Sequence, residues 1–283
     1  MALLLTIGCR TKQNSQEASK SPIQFDSLSS ESYKKLFSPS FNWEDVEIKV
    51  SDDEKRSLIK VNTPWVLEEN VDSNYLSSVH IMDFNNDSHK DFIYSGPGAA
   101  YVMTQMFISG GTDTTRYSDT SIITNIDIKE NKVQRIYIYT MISSGGPSIG
   151  GYSMIDIKYD GVTPSFVRRL DCESVFRLNL PTTYTSFNVE SISDTVEARY
   201  EPIELDTPQN YILEMPGNQL GKITKGTKAT VVGEKDSLGI KWYFTLIRPD
   251  FKIKNYPYYG HAFDSIHTYR VVWAKENGWK KVQ

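Results

Sequence analysis

Apolar and polar residues alternate with period two along much of this chain. No run after the first thirty residues keeps a clean 3.6-residue period over twelve or more positions. Successive side chains of a strand point to opposite faces, so alternation marks half-buried strands. Val46-Glu47-Ile48-Lys49-Val50 and Ser57-Leu58-Ile59-Lys60-Val61 both read this way. Ile122 to Ile128, Gln134 to Thr140, Tyr152 to Tyr159 and Thr185 to Tyr200 follow with less strictness. Clusters of Gly, Pro, Asn, Asp and Ser punctuate them at 95–98, 109–113, 143–147 and 160–161, which is turn chemistry. Ser32 to Phe37 suits a short helical turn. The expected class is all-β, as a sandwich, a barrel or part of a propeller.

Composition narrows the function classes. The net charge of −4 offers no basic footprint, so no nucleic-acid partner is expected. Seventeen Tyr against two Cys favour pleated, half-buried surfaces and exclude a disulfide framework. Cys172, in Arg169-Leu170-Asp171-Cys172-Glu173, reads as a buried structural thiol, since no activating base is evident beside it.

The first residues read as an address. Met1 to Gly8 is a short apolar run, followed by Cys9 and then by a polar stretch from Arg10 to Ser21. The run is far shorter than the roughly 20 apolar residues a membrane-spanning helix needs, and the polar stretch cannot bury enough surface to order itself. Residues 1–30 are therefore expected to be the remnant of an export signal and a disordered tether. Thr6-Ile7-Gly8-Cys9 resembles the lipobox of bacterial lipoproteins, although Leu is absent three residues before the Cys and no basic segment precedes the run. The resemblance implies a lipid on Cys9, a membrane as partner and, with no Asp after Cys9, outer-membrane anchoring facing the periplasm. Surface exposure stays open.

The sharpest local signal is Asp83-Phe84-Asn85-Asn86-Asp87-Ser88-His89-Lys90-Asp91. Asp83, Asn85, Asp87 and Asp91 carry side-chain oxygens at relative positions 1, 3, 5 and 9, and His89 offers its backbone carbonyl. Calcium takes 6–8 oxygen ligands in flexible geometry, so these residues are candidate calcium ligands. The alternative is a solvated acidic hairpin turn. Residues 78–82 and 92–94 read as strands on either side. Position 12 is Tyr94 and no helices flank the loop, so it is not an EF-hand. Strand, acidic loop, strand resembles the FG-GAP or VCBS repeat of integrin-like propellers over Val79 to Ser95, with Gln105 to Gly110 as the next strand. Ser88 stands where that family has Gly, at a position that often needs positive φ. Residues 40–200 hold one such loop, so the resemblance carries the loop and not a whole propeller.

Glu201-Pro202 to Pro208-Gln209, acidic and with two prolines, is the expected boundary between an all-β domain over 31–205 and a second unit over 210–283. In that unit Lys225-Gly226-Thr227-Lys228-Ala229-Thr230-Val231, followed by Lys241-Trp242-Tyr243 and later by Val272-Trp273, resembles bacterial Src-homology-3-like domains. The resemblance implies a small barrel that binds cell-wall peptide or packs on its neighbour. Trp242, Trp273 and the insertion residues Tyr256, Tyr258 and Tyr259 are candidate ligand contacts; the alternative is that the tyrosines cover the barrel's own core.

Catalytic signatures are missing from the sequence. The four His form no H-E-x-x-H pair, no G-x-S-x-G elbow occurs, and Ser143 to Gly151 lacks the Lys-Ser/Thr of a phosphate loop. The expectation is a non-enzymatic, calcium-stabilised envelope lipoprotein that binds a protein, glycan or cell-wall partner. The alternatives are a polysaccharide or peptidoglycan hydrolase using an acidic pair, or an immunity or inhibitor lipoprotein.

Overall fold

A computed structural model describes residues 28–63, 66, 71–98, 102–110, 113–142, 149–175, 178–207, 209–210, 215–248 and 268–282. Cys9, the tether, the loop 143–148 and Tyr256, Tyr258 and Tyr259 lie outside these residues. The fold is all-β, with three short helices: α1 (Ser30–Phe37), α2 (Asp52–Asn62) and α3 (Ser73–Ser77). Among the described residues no helix is long and apolar enough to cross a membrane.

The first sheet is a four-stranded antiparallel meander of β1 (Val79–Met82), β2 (Asp91–Pro97), β3 (Val102–Gly110) and β4 (Asp113–Asp119). A second meander follows: β5 (Ile122–Lys129), β6 (Lys132–Ile142), β7 (Ile149–Asp160) and β8 (Thr163–Val175). The chain continues through β9 (Thr183–Ser191), β10 (Val196–Arg199), the two-residue pair β11 (Gln209–Asn210) and β12 (Met215–Pro216), and β13 (Gln219–Ile223). It ends with β14 (Lys228–Ser237), β15 (Ile240–Ile247), β16 (Tyr269–Lys275) and β17 (Trp279–Lys281). Apart from β11 and β12, strands β5 to β17 form one eleven-stranded sheet in which β16 runs parallel to β8 and joins the two halves.

The small sheet is covered on both faces, which explains why β1 is buried throughout. One face packs Met82, Phe84, Ile93, Met106 and Ile108 onto Ile123, Ile136, Ile138 and Ile155 of the large sheet. The other packs Ile81, Phe92, Tyr94 and Phe107 under Ile59 of α2 and Leu76 of α3. Each fully buried Ile, Leu or Phe contributes about 1.5–3 kcal/mol. Helix α1 places Tyr33, Leu36 and Phe37 against Tyr152, Trp242 and Phe244, and the buried Cys172 lies in this core. Burial pushes the Cys172 thiol pKa far up, so the sulfur is held as a neutral, unreactive thiol.

Two expected strands are not strands. Residues 57–61 lie on α2, whose start is capped by Ser51: its hydroxyl accepts the Glu54 N–H at 3.2 Å. Asp52, Asp53 and Glu54 put negative charge in the first turn, where the helix dipole favours it. On the helix Ile59 is buried and Val61 is 76% exposed, whereas a strand would put both on one face. Residues 46–50 follow a 3-10 turn at Trp43–Asp45, and a backbone bond from Ile48 N–H to the Ile81 carbonyl, 2.7 Å, ties them to β1 without a ladder. The expected turn at Ser95-Gly96-Pro97-Gly98 instead continues β2 to Pro97. Gly96 is there for close approach, because a Cβ would sit 2.2 Å from Ser78 Oγ. The expected strand from Thr185 to Tyr200 is two strands, β9 and β10.

The hydrogen-bond ladder crosses the expected boundary at 201–209. β9 pairs with β14 and β17, and β10 pairs with β13 and β16. Val189, Val196 and Ala198 share one core with Leu220, Val231 and Val272. A polar, proline-bearing segment marks a surface connection, but it does not prevent packing of the strands on either side. No barrel closes among the described residues.

Candidate functional site: the 83–91 loop

The loop hangs between β1 and β2, whose register pairs Met82 with Asp91. A tight loop between paired strands turns its own backbone N–H groups inward, and short acidic side chains are the natural acceptors. Asp83 accepts two of them, Asp87 N–H on Oδ1 at 3.0 Å and Ser88 N–H on Oδ2 at 2.9 Å. Closing that ring requires left-handed backbone at Asn86 (φ +57°) and Ser88 (φ +67°). Ser88 therefore occupies the conformation that the resemblance assigns to Gly, at roughly 1–2 kcal/mol of strain.

Asp87 Oδ1 accepts the His89 N–H at 2.9 Å, and Oδ2 accepts the Ser109 hydroxyl at 2.7 Å. The His89 ring is exposed, with Nδ1 3.2 Å from Asp87 Oδ1. Burial works to raise the Asp87 pKa, but the Ser109, His89 and Asn85 contacts outweigh it and leave the carboxyl below its usual range. Asp91 is buried and accepts the Phe84 N–H and the Ser109 N–H, each at 2.7 Å. Burial first, then the negative charges of Asp87 and Asp83, push its pKa up to about 7 against the two N–H groups that lower it. Asp87 and Asp83 thus lie close enough to Asp91 for their charges to act on it.

Asn85 is fully buried. Its Nδ2 donates to the Ser109 and Val162 carbonyls, which fixes the amide's orientation. Its Oδ1 is buried with no hydrogen-bond partner. The neighbouring Phe84 carbonyl accepts the Val133 N–H at 3.0 Å and the Tyr159 hydroxyl at 3.2 Å. The loop is therefore tied to the end of β3, to the β7–β8 turn and to the start of β6. Ser109 and Val162 carried no signal of this role in the sequence, because their backbone groups meet side chains 18 and 77 positions away.

As arranged, no three His, Cys, Asp or Glu side chains among the described residues converge to hold a metal. The Asp carboxylates are turned toward N–H and O–H donors, each oxygen keeping a further lone pair. What the loop offers a cation is a mixed set of amide, carboxylate and carbonyl oxygens, which suits a hard ion such as calcium and not zinc.

The other candidate residues lie elsewhere. Trp273 is core, with Nε1 donating to the Asn179 carbonyl at 2.9 Å. Trp242 is packed into the same core, and its Nε1 is buried without a partner. Comparisons with protein-family models, with curated proteins and with solved structures found no match to this chain.

Proposed function

We propose that the protein is a non-enzymatic lipoprotein of the bacterial envelope, with a β fold stiffened by one calcium ion at the 83–91 loop and a surface offered to a protein, glycan or cell-wall partner. Asn85 carries the calcium reading. A buried amide oxygen without a donor is unfavourable by about 1–3 kcal/mol, and Asn85 Oδ1 is such an atom inside a loop of three carboxylates. An ion at the loop supplies the missing partner and offsets the burial of the Asp91 carboxylate, together with the smaller repulsion from Asp87 and Asp83. Asp83, Asn85, Asp87 and Asp91 act as side-chain ligands and His89 through its carbonyl, with one or more carboxylates turning from their N–H donors toward the ion. The anchor rests on Thr6-Ile7-Gly8-Cys9, and the partner class on the Src-homology-3-like pattern at 225–243.

Calcium titration by calorimetry, paired with thermal melts, tests the reading. The expected result is one ion per chain and a raised melting temperature, with Asp87→Ala weakening affinity by about tenfold or more. No heat and no thermal shift at millimolar calcium reduces the loop to an acidic hairpin. Mass spectrometry of membrane fractions tests the anchor: an uncut chain with an unmodified Cys9 thiol rejects it.

A further inference from the structure

Away from the loop, a cavity of about 380 Å³ opens in the large sheet. Its walls are the 193–195 turn, the start of β10, Glu204, Trp242 on β15, and Lys275 with the 3-10 turn at Glu276–Gly278. This volume lies at the lower end of the range for small-molecule sites, about 300–1,000 Å³.

The wall is polar and its formal charges cancel. Glu197 and Glu204 face Arg199 and Lys275. Arg199 is buried and saturated: its N–H groups donate to Glu197, Asp206, Asn218 and the Leu205 carbonyl. It is a fixed wall element that holds Glu197 in place. Lys275 pairs with Glu204 Oε1 and lies over the Trp242 ring, 5.9 Å from its centroid. Unengaged functionality remains at the rim. Asn277 is exposed and has no hydrogen bond among the described residues. Glu197 uses Oε2 toward Arg199, and Glu204 uses Oε1 toward Lys275, which leaves one oxygen of each carboxylate to accept.

We propose that this cavity binds a neutral, polyhydroxylated ligand the size of one or two sugar rings. Hydroxyl groups both donate and accept. They donate hydrogen bonds to the open oxygens of Glu197 and Glu204 and accept them from the Asn277 amide and the Lys275 ammonium. An anion meets the two carboxylates and a cation meets Arg199 and Lys275, so net charge on the ligand is disfavoured. The proposal does not rest on calcium, because no loop residue lines the cavity.

The test is saturation-transfer NMR and calorimetry on the whole chain, run once with calcium and once with chelator. The probes are glucose, N-acetylglucosamine, cellobiose and N,N′-diacetylchitobiose, with glucuronate and glucosamine as charged controls. The expected result is saturable binding of at least one neutral sugar. Asn277→Ala and Glu204→Gln, both at the rim, each weaken it about tenfold with the melting temperature unchanged. The proposal is overturned if no neutral probe binds at tens of millimolar. It is equally overturned if a charged control binds more tightly than its neutral counterpart, or if both variants bind as the parent does.

Discussion

The Nδ2 of Asn85 donates to the carbonyl of Val162 at 2.8 Å, across 77 positions of chain. The same nitrogen donates to the Ser109 carbonyl, so one amide joins the acidic loop to the end of β3 and to the turn that follows β7. The loop is thus a junction between the two sheets as well as a candidate ion site.

Asn85→Asp separates these roles. The carboxylate loses both donated bonds and places a fourth negative charge in the loop. Without calcium it is expected to destabilise the fold by about 2–4 kcal/mol. Saturating calcium is expected to recover a larger share of the loss than it adds to the parent. Chemical denaturation in chelator and in calcium measures both.

Ser88→Gly removes the strain of a left-handed Ser at φ +67°. A gain of about 0.5–1 kcal/mol is expected after the entropy of Gly in the unfolded chain is subtracted. Calcium affinity is expected to rise as well, because the loop reaches its closed conformation more easily. Urea melts and calorimetry check the two effects separately.

His80 gives a pH dependence. It is buried, its ring stacks on Trp43 with centroids 3.9 Å apart, and Nδ1 contacts Glu47. Burial lowers its pKa below 6.5, assisted by Lys55, against the Glu47 contact that raises it. The folded state therefore binds its proton less readily than the unfolded chain. The associated stability is complete above the unfolded value and is lost as pH falls through 6.5 toward the lower folded value. His80→Gln is expected to flatten this part of the profile between about pH 7 and pH 5, read from melting temperature against pH.

Gly96→Ala forces a Cβ to within 2.5 Å of Ser78 Cβ as well as onto its Oγ. The expected loss is about 1–3 kcal/mol. Ser78→Gly in the same chain removes both clashing atoms, so the pair is expected to be more stable than the sum of the single changes. A double-mutant cycle by thermal melts measures the coupling.

Residues 210–283 expressed alone are expected not to fold. β14 loses β9, β16 loses β8 and β10, and the core around Val231 loses Val189, Val196 and Ala198. A poorly dispersed amide NMR spectrum is the expected outcome. A dispersed, cooperative unit rejects the shared-sheet account.

Much of the β fold was legible because alternation is local. The strands at 122–128, 134–140 and 152–159 fall within β5, β6 and β7, and Ser32–Phe37 falls within α1. The helix at 52–62 was missed, because the alternation at 57–61 reads as a strand while the competing signal, the Ser51-Asp52-Asp53-Glu54 capping-box pattern, lies one turn upstream. The oxygens of the 83–91 loop are spaced in the chain itself, so the candidate site could be named from the sequence. The sequence by itself determined the central strands β5 to β7 and which loop carries the charge, because those depend on neighbours within a few residues. Tertiary structure alone decided that β9 and β10 join the C-terminal strands, that Gly96 serves Ser78, and that Ser109 and Val162 hold Asn85 with its Oδ1 unpaired. Those relationships depend on which backbone atoms meet after distant apolar faces have packed, and no local pattern encodes that meeting.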